Sequence, residues 1–518
     1  MSRVRSRSFL SGNYLYCSRM THSSYTRLEK TFRRISLVNE AAAVLHWDAS
    51  VMMPPGGGNS RGQQLAELAT ITHGMLTAPD MSEWIADALS RKADLDNWQQ
   101  ANLAEMNRRW IRATALPEDL ISTISIANST CEASWREARP NNDFASVLPL
   151  LQDVLSLTRE AGEALSAKLG VGIYDALLGD FEPGLSCDDV DHQFAVLESF
   201  LPEFLGHAVE QQKSGPQPIL PEGPFPINKQ RQLGVKMMEA IGFDFDNGRL
   251  DVSLHPFCGG TTEDIRITTR YDEGDFTSAL MGVLHETGHA MYDRGLPKEW
   301  QHQPVGGSLG MSIHESQSLL VEMQVCRSRE FLEFAAPIIR ATFGGSGPAW
   351  EVDNLHRIYT RVKPDFIRVD ADEVTYPAHI ILRYRLEKAM LEDRLQLSDL
   401  PGAWNDGMKS LLGIVPPTDT LGCLQDVHWY DGAWAYFPTY SLGAISAAQL
   451  FAAAKSEDTT ILPQISNGNF APLMAWLGKN VHCSGALIPA DQLLKKVTGK
   501  TLDATVFKNH LLERYSGK

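Results

Sequence analysis

The sequence has few cysteines and lacks any apolar run long enough to cross a membrane. Its seven cysteines in 518 residues are scattered, contain no Cys-x-x-Cys pair and are odd in number. This pattern excludes a disulfide framework and favours free thiols in a reducing compartment. A membrane-spanning helix needs about 18 consecutive apolar residues. We therefore expect a protein that neither depends on disulfides nor spans a bilayer.

The chain also lacks an excess of positive charge. It has 47 Lys and Arg against 63 Asp and Glu, a formal net charge of −16. Such a surface repels phosphate backbones and anionic lipid headgroups, so neither nucleic acid nor a membrane is the expected partner. Hydrophobic residues make up 43% of the chain and charged residues 21%, which is typical of a folded globular protein and not of a disordered one.

The first twenty residues contain no acidic side chain but carry four arginines and several serines. This composition is typical of an organelle transit peptide, and a second interpretation makes Met20 the start of translation. We expect residues 1–20 to form a disordered or targeting extension and residues 21–518 to form one domain. The expected location is the cytoplasm, or an organelle if the extension acts as a transit peptide.

Alternating strand-like runs are nearly absent, and apolar residues recur at spacings of three and four through most of the chain. The stretch 147–170, for example, has leucines on one stripe and ends at Gly170, which suits a helix terminus. The best strand segments, 249–257 and 264–272, are joined by a Gly-Gly segment and predict a small hairpin. The expected fold is mostly α-helical with a small β-sheet.

The stretch 284–293, LHETGHAMYD, places two histidines four residues apart around a glutamate. Apolar residues at helical spacing predict a helix here, so His285 and His289 fall on one face about one turn apart. Such a pair can bind one Zn²⁺, with Glu286 held as general base beside the water that the metal activates. Because the chain contains 15 histidines, the five-residue pattern alone is also compatible with chance.

A catalytic zinc site needs a third protein ligand. The metzincin pattern would require glycine and histidine where this chain has Tyr292 and Gly295, so that class is excluded. A thermolysin-like site takes a glutamate from a second helix, and Glu315, 26 residues after the second histidine, is the predicted ligand. Glu315 could instead close a capping box with Ser312, which would leave Glu322 as the alternative ligand. The same ligands would also accept Co²⁺ or Mn²⁺.

Six short motifs follow one another along the chain. They are HPF (255–257), DIRIT (264–268), HETGH (285–289), HESQ (314–317), IRVDAD (367–372) and GCLQDVHW (422–429). In their order and spacing the chain resembles the carboxypeptidase Taq family of HEXXH zinc metallocarboxypeptidases, from about residue 24 to the C-terminus. The resemblance implies a large, mostly helical single domain with a small β-sheet beside a deep active-site groove, one zinc ion per chain and a homodimer.

The resemblance also implies a substrate and the residues that bind it. A carboxypeptidase must recognise the free C-terminal carboxylate of a peptide, and arginine binds a carboxylate through two parallel hydrogen bonds. By resemblance, the expected carboxylate anchors are Arg266 and Arg368. The expected donors to the substrate or to the oxyanion are His255, His428 and Tyr436. Each of the five could instead be structural, the arginines through ion pairs with Asp264 or Asp370.

Three functions are in competition at this point. The first is a zinc carboxypeptidase that hydrolyses the C-terminal peptide bond with metal-activated water and Glu286 as base. The alternative is an endo-acting zinc oligopeptidase, but such enzymes commonly carry a histidine where Tyr292 stands and need no carboxylate anchor. The third is a scaffold protein that has lost catalysis, which the presence of Glu286 and of all the predicted ligands disfavours.

Overall fold

The computed structural model describes residues 23–516, so the predicted extension over residues 1–20 lies outside the described part of the chain. The N-terminal half of this part consists of α-helices, and its longest connection is the segment 215–226. The helices are α1 Ser24–Val51, α2 Gly58–Leu76, α3 Pro79–Ser90, α4 Asn97–Ala115, α5 Glu118–Ala138, α6 Phe144–Leu169, α7 Ile173–Leu178, α8 Cys187–Ser214 and α9 Ile227–Ile241. The six cysteines between residues 23 and 516 are all free thiols.

Helix α6 shows how closely local signals set an element's ends. The Asp143 side chain accepts a hydrogen bond from the backbone N–H of Ser146 at 3.1 Å, which satisfies one of the unpaired donors of the first turn. Gly170 follows the last residue in the left-handed conformation, with φ of 72°, and ends the helix. The helix predicted over 147–170 is therefore confirmed.

Along the chain, a three-stranded sheet follows these helices and precedes those of the C-terminal half. The strands are β1 Gly248–Val252, β2 Phe257–Thr261 and β3 Asp264–Thr269, in the spatial order β1-β3-β2. Strand β1 pairs with β3 in parallel, with Leu250 opposite Ile267, and β2 pairs with β3 in antiparallel fashion, with Cys258 also opposite Ile267.

The predicted hairpin is therefore wrong in its first strand. The Gly-Gly segment that was expected to be the connection is itself strand β2, whereas segment 249–257 supplies the parallel strand β1. Glycine has a low preference for strands, but here it is required. Gly260 has a φ of 91°, and a Cβ at this position would lie 2.1 Å from the carbonyl oxygen of Asp264.

The C-terminal half returns to helices. They are α10 Phe276–Gly295, α11 Met311–Leu319, α12 Arg329–Phe343, α13 Val352–Tyr359, α14 Tyr376–Leu391, α15 Leu400–Leu412, α16 Pro438–Glu457, α17 Ile461–Ser466, α18 Ala471–Asn480, α19 Ala490–Thr498 and α20 Ala504–Tyr515. One π-helix, Leu320–Cys326, continues directly from α11.

The sheet supports helix α10 through an apolar cluster. Ile265 and Ile267 of β3 are buried together with Val283 and Ala290 of α10. Burying side chains of this size contributes roughly 1.5–3 kcal/mol each, so α10 is held firmly against the sheet. Between residues 23 and 516, no helix is both long and apolar enough to cross a lipid bilayer.

Candidate metal centre

Helix α10 carries the two predicted metal-binding histidines on one face. The helix begins after Asp275, whose carboxylate accepts a hydrogen bond from the backbone N–H of Thr277 at 2.8 Å. From there the 3.6-residue period brings His285 and His289 to the same side, with their ring centroids 5.0 Å apart. The prediction that both imidazoles share one face of a helix is confirmed.

Helix α11 brings Glu315 to the same place. The alternative role of Glu315 in a capping box with Ser312 is wrong, because Ser312 is engaged elsewhere: its backbone N–H and its hydroxyl both donate to the carboxylate of Glu182. The hydroxyl lies 2.8 Å from Oε2 of Glu182. Burial raises the pKa of Glu182 to about 8, although both hydrogen bonds from Ser312 oppose the rise. The side chain of Glu315 remains available to face the histidines.

Three donor atoms meet between these helices. One atom from each of His285, His289 and Glu315 lies within 4.8 Å of the others, and we call these residues the candidate triad. Oε2 of Glu315 is 3.3 Å from Nε2 of His289 and 3.8 Å from Nε2 of His285. In a tetrahedral site whose ligands each lie about 2.0–2.2 Å from the Zn²⁺ ion, the ligand atoms are separated from one another by distances close to these two donor–donor distances.

The other nitrogen of each imidazole is already engaged. Nδ1 of His285 lies 2.9 Å from Oε2 of Glu322, and Nδ1 of His289 lies 3.2 Å from the carbonyl oxygen of His314. Both partners are acceptors, so each Nδ1 carries the proton when the metal is bound. Each Nε2 then offers its lone pair to the metal position beside Glu315. The residues present therefore fit a divalent metal ion with two imidazole ligands and one carboxylate ligand.

Glu322 occupies a different place from the one expected of an alternative ligand. It contacts His285 at Nδ1, while Glu315 faces Nε2 of the same ring. Arg327 donates to the other oxygen of Glu322 and holds the carboxylate in position. Residues 322 and 327 are five apart in a segment that begins as a π-helix, whose hydrogen bonds connect residues five apart. This local change of helix type builds the support for His285.

Glu286 lies between the two histidines and is buried, with 7% of its surface exposed. Burial raises its pKa to about 7, and the neighbouring Glu315 carboxylate contributes in the same direction while His285 opposes it. A carboxyl group with a pKa near the working pH can both accept and return a proton, which is the property required of a general base.

Metal binding to the metal-free protein is expected to release about one proton at pH 8. Burial disfavours charge on His285, but the Glu315 and Glu322 carboxylates outweigh it and raise the pKa of His285 to about 10. The imidazole is therefore protonated at pH 8 and must lose a proton to bind a metal. Calorimetric titration in two buffers of different ionisation enthalpy measures this release, and identical heats in both buffers would contradict the prediction.

Two helices approach each other very closely behind the candidate triad. A Cβ added at Gly288 of α10 would lie 2.4 Å from the carbonyl oxygen of Gln317 and 2.6 Å from Cα of Ser318, both on α11. These are backbone atoms that cannot rotate away. Glycine at position 288 therefore sets the separation of the helices that carry the three donor atoms.

Replacing Gly288 by alanine is expected to destabilise the protein by about 1–3 kcal/mol and to weaken metal binding, because α10 and α11 must separate. The matched control is Gly282→Ala in the same helix, where the nearest atom would be Oγ1 of Thr269 at 3.9 Å. Thermal unfolding and metal titration of both variants measure the two effects. Equal behaviour of the two variants would show that the close approach is not required.

A second group of polar residues surrounds Arg368. Its Nε and Nη2 atoms lie 3.0 and 2.8 Å from Oδ1 of Asp426, and its backbone N–H donates to Gln425 at 2.9 Å. The structural ion pair considered for Arg368 is thus made with an aspartate of the GCLQDVHW motif and not with Asp370. The guanidinium lies over the ring of Tyr440, 4.7 Å from its centroid.

His428 and Tyr436 belong to the same group. Nε2 of His428 lies 3.0 Å from the hydroxyl of Tyr440, and the ring of Tyr436 lies 5.2 Å from that of Tyr440. Tyr440 stands one turn before Gly443 on α16. Gly443 is so close to Glu315 that a Cβ on it would lie 2.7 Å from Cγ of Glu315. The structure therefore brings His428, Tyr436 and Arg368 together beside the candidate triad.

Arg266 and His255 are placed differently. Nη2 of Arg266 lies 2.6 Å from Oδ2 of Asp264, and the guanidinium lies over the ring of Trp47, 4.2 Å from its centroid. His255 is exposed in the turn between β1 and β2, and its ring forms no hydrogen bond with any residue of the part that the structure describes. Neither residue contacts the candidate triad within residues 23–516.

Three residues support the site in roles that were not predicted from the sequence. His314 was given no role from the sequence, but its ring stacks on that of His289 with the centroids 4.5 Å apart, and its carbonyl oxygen lies 3.2 Å from Nδ1 of His289. Glu322 was considered only as a ligand, and Glu182 carried no motif signal at all. The HESQ motif itself was the one available signal for His314.

The chain matches known proteins over almost all of its length. The family model described as carboxypeptidase Taq (M32) metallopeptidase matches residues 27–515. Thermostable carboxypeptidase 1 of Thermus thermophilus is 36% identical over 504 residues, which cover 95% of this chain and 98% of the relative. Carboxypeptidase 1 of Bacillus subtilis is 34% identical over 490 residues, covering 93% of this chain and 96% of the relative.

Solved structures show the same fold. Metallocarboxypeptidase 1 of Trypanosoma cruzi superposes with a TM-score of 0.93 at 40% identity, covering 95% of this chain and 99% of the other. An M32 carboxypeptidase from Deinococcus radiodurans superposes with a TM-score of 0.89 at 32% identity, covering 95% and 98%. The family-model match over residues 27–515 includes every residue of the candidate triad and of the group around Arg368.

Proposed function

The chain belongs to the carboxypeptidase Taq (M32) family of metallopeptidases, and from this premise we propose how its residues remove the C-terminal residue of a peptide. It is a metallocarboxypeptidase, and its relatives favour this activity over that of an endo-acting oligopeptidase. The observation that carries the proposal is the candidate triad, with three donor atoms within 4.8 Å of one another and both Nδ1 atoms already engaged.

We propose that His285, His289 and Glu315 hold one zinc ion per chain. Two imidazoles and one carboxylate form a donor set that zinc uses in catalytic sites, and Co²⁺ or Mn²⁺ could occupy the same position. When bound, such an ion supplies Lewis-acid polarisation of the scissile carbonyl and lowers the pKa of water.

Glu286 moves the proton in the proposed reaction. Its carboxylate takes a proton from the attacking water and passes it to the leaving amine, which completes hydrolysis without a covalent intermediate on the protein. Its burial between the two histidines keeps bulk water from competing for that proton and places its pKa near 7 in the metal-free protein. His428 and Tyr436 are the proposed donors to the substrate or to the developing oxyanion.

Arg368 is the proposed anchor for the free C-terminal carboxylate. Its Nε and Nη2 atoms are engaged by Asp426, while its Nη1 forms no hydrogen bond with any residue between 23 and 516. The ion pair thus fixes the orientation of the fork and leaves one side of it for a ligand. We propose Arg266 as a second carboxylate-binding residue and His255 as a further substrate donor, both at the sheet that supports α10.

Replacing Arg368 by glutamine is expected to raise KM for free-acid peptides by about 10–100-fold, because a hydrogen bond to a charged group contributes about 1.5–3 kcal/mol. Slow turnover of the same peptide with an amidated C-terminus should not change. Asp426 keeps Arg383 as a partner in this variant, so no carboxylate is left unpaired. Steady-state kinetics on the two peptide forms measure the effect.

The matched control for this substitution is Arg361→Gln, at an exposed position seven residues earlier in the chain. It should leave KM for both peptide forms unchanged. An equal loss on the acid and amide forms in Arg368→Gln would contradict the proposed role, since it would show a general defect of the site and not a loss of carboxylate recognition.

We further propose that the enzyme is a homodimer and works in the cytoplasm. The dimer rests on the family resemblance. The location is supported by the six free thiols of residues 23–516, which suit a reducing compartment. Sedimentation equilibrium is expected to give twice the chain mass of 57.4 kDa, and a single-chain mass would contradict the dimer.

A further inference from the structure

A buried aspartate is shared by two arginines beside the candidate triad. Asp426 receives Arg368 on Oδ1 and Arg383 of α14 on Oδ2, the second at 2.6 Å from both Nε and Nη2. The Arg383 side chain is fully buried, with no exposed surface. Its Nη1 donates to the carbonyl oxygen of His379 at 2.8 Å, which completes its contacts with the backbone of its own helix.

The charges of this group do not cancel. Both arginines hold the pKa of Asp426 far below its ordinary value, against the effect of burial, so it is ionised. Burial, with Arg383 as the next cause, lowers the pKa of His379 to about 3, and burial lowers that of His428 to about 4, so both imidazoles are neutral. No other carboxylate of residues 23–516 contacts either guanidinium. Two positive charges therefore share one negative charge.

The surroundings of Arg383 keep its guanidinium protonated and hold it in position. Burial lowers its pKa only to about 10, which leaves the guanidinium protonated at neutral pH. The guanidinium lies over the ring of Trp404 at 4.5 Å and near the ring of Phe437 at 5.7 Å, both measured to the ring centroid. Such cation–π contacts favour a cation where water is excluded.

An uncompensated buried charge is destabilising, and an anion that binds beside it removes that destabilisation. Arg368 is the arginine of the pair that retains some exposed side-chain surface, 8% against none for Arg383, and its Nη1 is unpaired within residues 23–516. If Arg383 were absent, Asp426 would pair with Arg368 one to one, and an incoming carboxylate would meet a neutral ion pair. The strength of carboxylate binding at Arg368 thus depends on a residue that lies behind it.

We propose that Arg383 is a positioning residue for the C-terminal carboxylate of the substrate. By occupying Oδ2 of Asp426 it fixes that carboxylate and prevents it from neutralising Arg368, without touching the substrate itself. This inference rests on the proposed function of Arg368. It assigns to the IRVDAD and GCLQDVHW segments a partner on helix α14 that belongs to neither motif.

The test compares Arg383→Met, which removes the charge, with Arg383→Lys, which keeps the charge but loses the two-pronged contact. The matched control is Arg385→Met on the same helix, where the side chain is 53% exposed and pairs with Glu198 at the surface. KM and kcat are measured for one peptide as the free acid and as the amide, and the unfolding temperature of each variant is recorded.

We expect Arg383→Met to raise KM for the free acid at least tenfold with kcat largely kept, and to leave the amide unchanged. Arg383→Lys should recover part of the loss, and Arg385→Met should behave as the parent enzyme. If Arg383→Met does not fold, Arg383→Lys is combined with Arg368→Gln. In the Arg368→Gln background, Arg383→Lys should have no further effect on KM, because Arg368 is no longer present to be positioned.

Three outcomes would overturn the inference. Equal losses on acid and amide would make Arg383 merely structural, and an unchanged KM for the acid would show that Asp426 does not need it. Additive effects of Arg383→Lys and Arg368→Gln would show that the two act independently. If Arg368→Gln itself spares the acid, the proposed anchor fails together with this inference, whereas a selective effect of Arg368→Gln alone leaves the proposed function intact.

Discussion

Replacing Glu286 by glutamine is expected to lower kcat for peptide hydrolysis by about 10²–10⁴-fold, the usual contribution of a general base. Glutamine has nearly the same shape as glutamate but cannot accept the proton of the attacking water. Because Glu286 is not one of the three donors of the candidate triad, metal affinity and unfolding temperature should stay close to those of the parent protein.

Steady-state assays with one free-acid peptide measure kcat of the parent enzyme and of the variant, and the metal content is determined on the same samples. Two results would contradict the prediction. A variant that retains most of its kcat would show that another group moves the proton. A variant that loses its metal would show that Glu286 belongs to the metal site itself, and the loss of activity would then carry no information about proton transfer.

The second large effect is expected from Glu315→Gln, which should reduce metal affinity by more than the roughly 10–100-fold expected of an outer carboxylate. An amide oxygen is a poor replacement for a carboxylate ligand, and Oε2 of Glu315 is the atom that faces Nε2 of both histidines. Affinity is measured by competition with a chelator of known strength on the metal-free protein.

The comparison variant is Glu322→Gln, which removes the charge that orients Nδ1 of His285 and that pairs with Arg327. Its loss of metal affinity should lie within about 10–100-fold. The variant with the larger loss of metal affinity identifies which of the two glutamates, Glu315 or Glu322, is the third ligand. A larger loss in Glu322→Gln than in Glu315→Gln would reverse the assignment made from the geometry.

The sequence predicted the two histidines of the candidate triad because their signal is local, whereas Glu315 was predicted from the ligand pattern of thermolysin-like sites. The spacing of four between His285 and His289 fixes their relation on any α-helix. The place of Glu322 could not be predicted in this way. Seven residues from Glu315, it would share a face on a regular α-helix, but the chain changes to a π-helix at Leu320, and a pattern of apolar residues does not reveal that change.

Long-range pairing was the other limit. Arg368 was considered for an ion pair with Asp370, two residues away, and its partner is Asp426, 58 residues away. Arg383 lies on a helix whose sequence gives no sign that its guanidinium reaches the same aspartate. Such contacts depend on how helices pack in space, and a single sequence carries no direct record of it.

Local preferences also misled at the sheet. Glycines 259 and 260 read as a turn, yet they form strand β2, where a side chain at position 260 would collide with the backbone of the neighbouring residue 264. Glycine is required at position 260 because the backbone of residue 264 lies so close, and not because the chain reverses direction there. The fold class was predictable all the same, since helical periodicity extends over most of the chain.

The most direct test is the digestion of one peptide as its free acid and as its C-terminal amide, before and after removal of metal by a chelator, followed by mass spectrometry. We expect loss of one residue at a time from the free acid, with only slow turnover of the amide, and we expect this trimming to be abolished by the chelator and restored by zinc. Internal cleavage of both forms, or trimming that survives removal of the metal, would contradict this expectation.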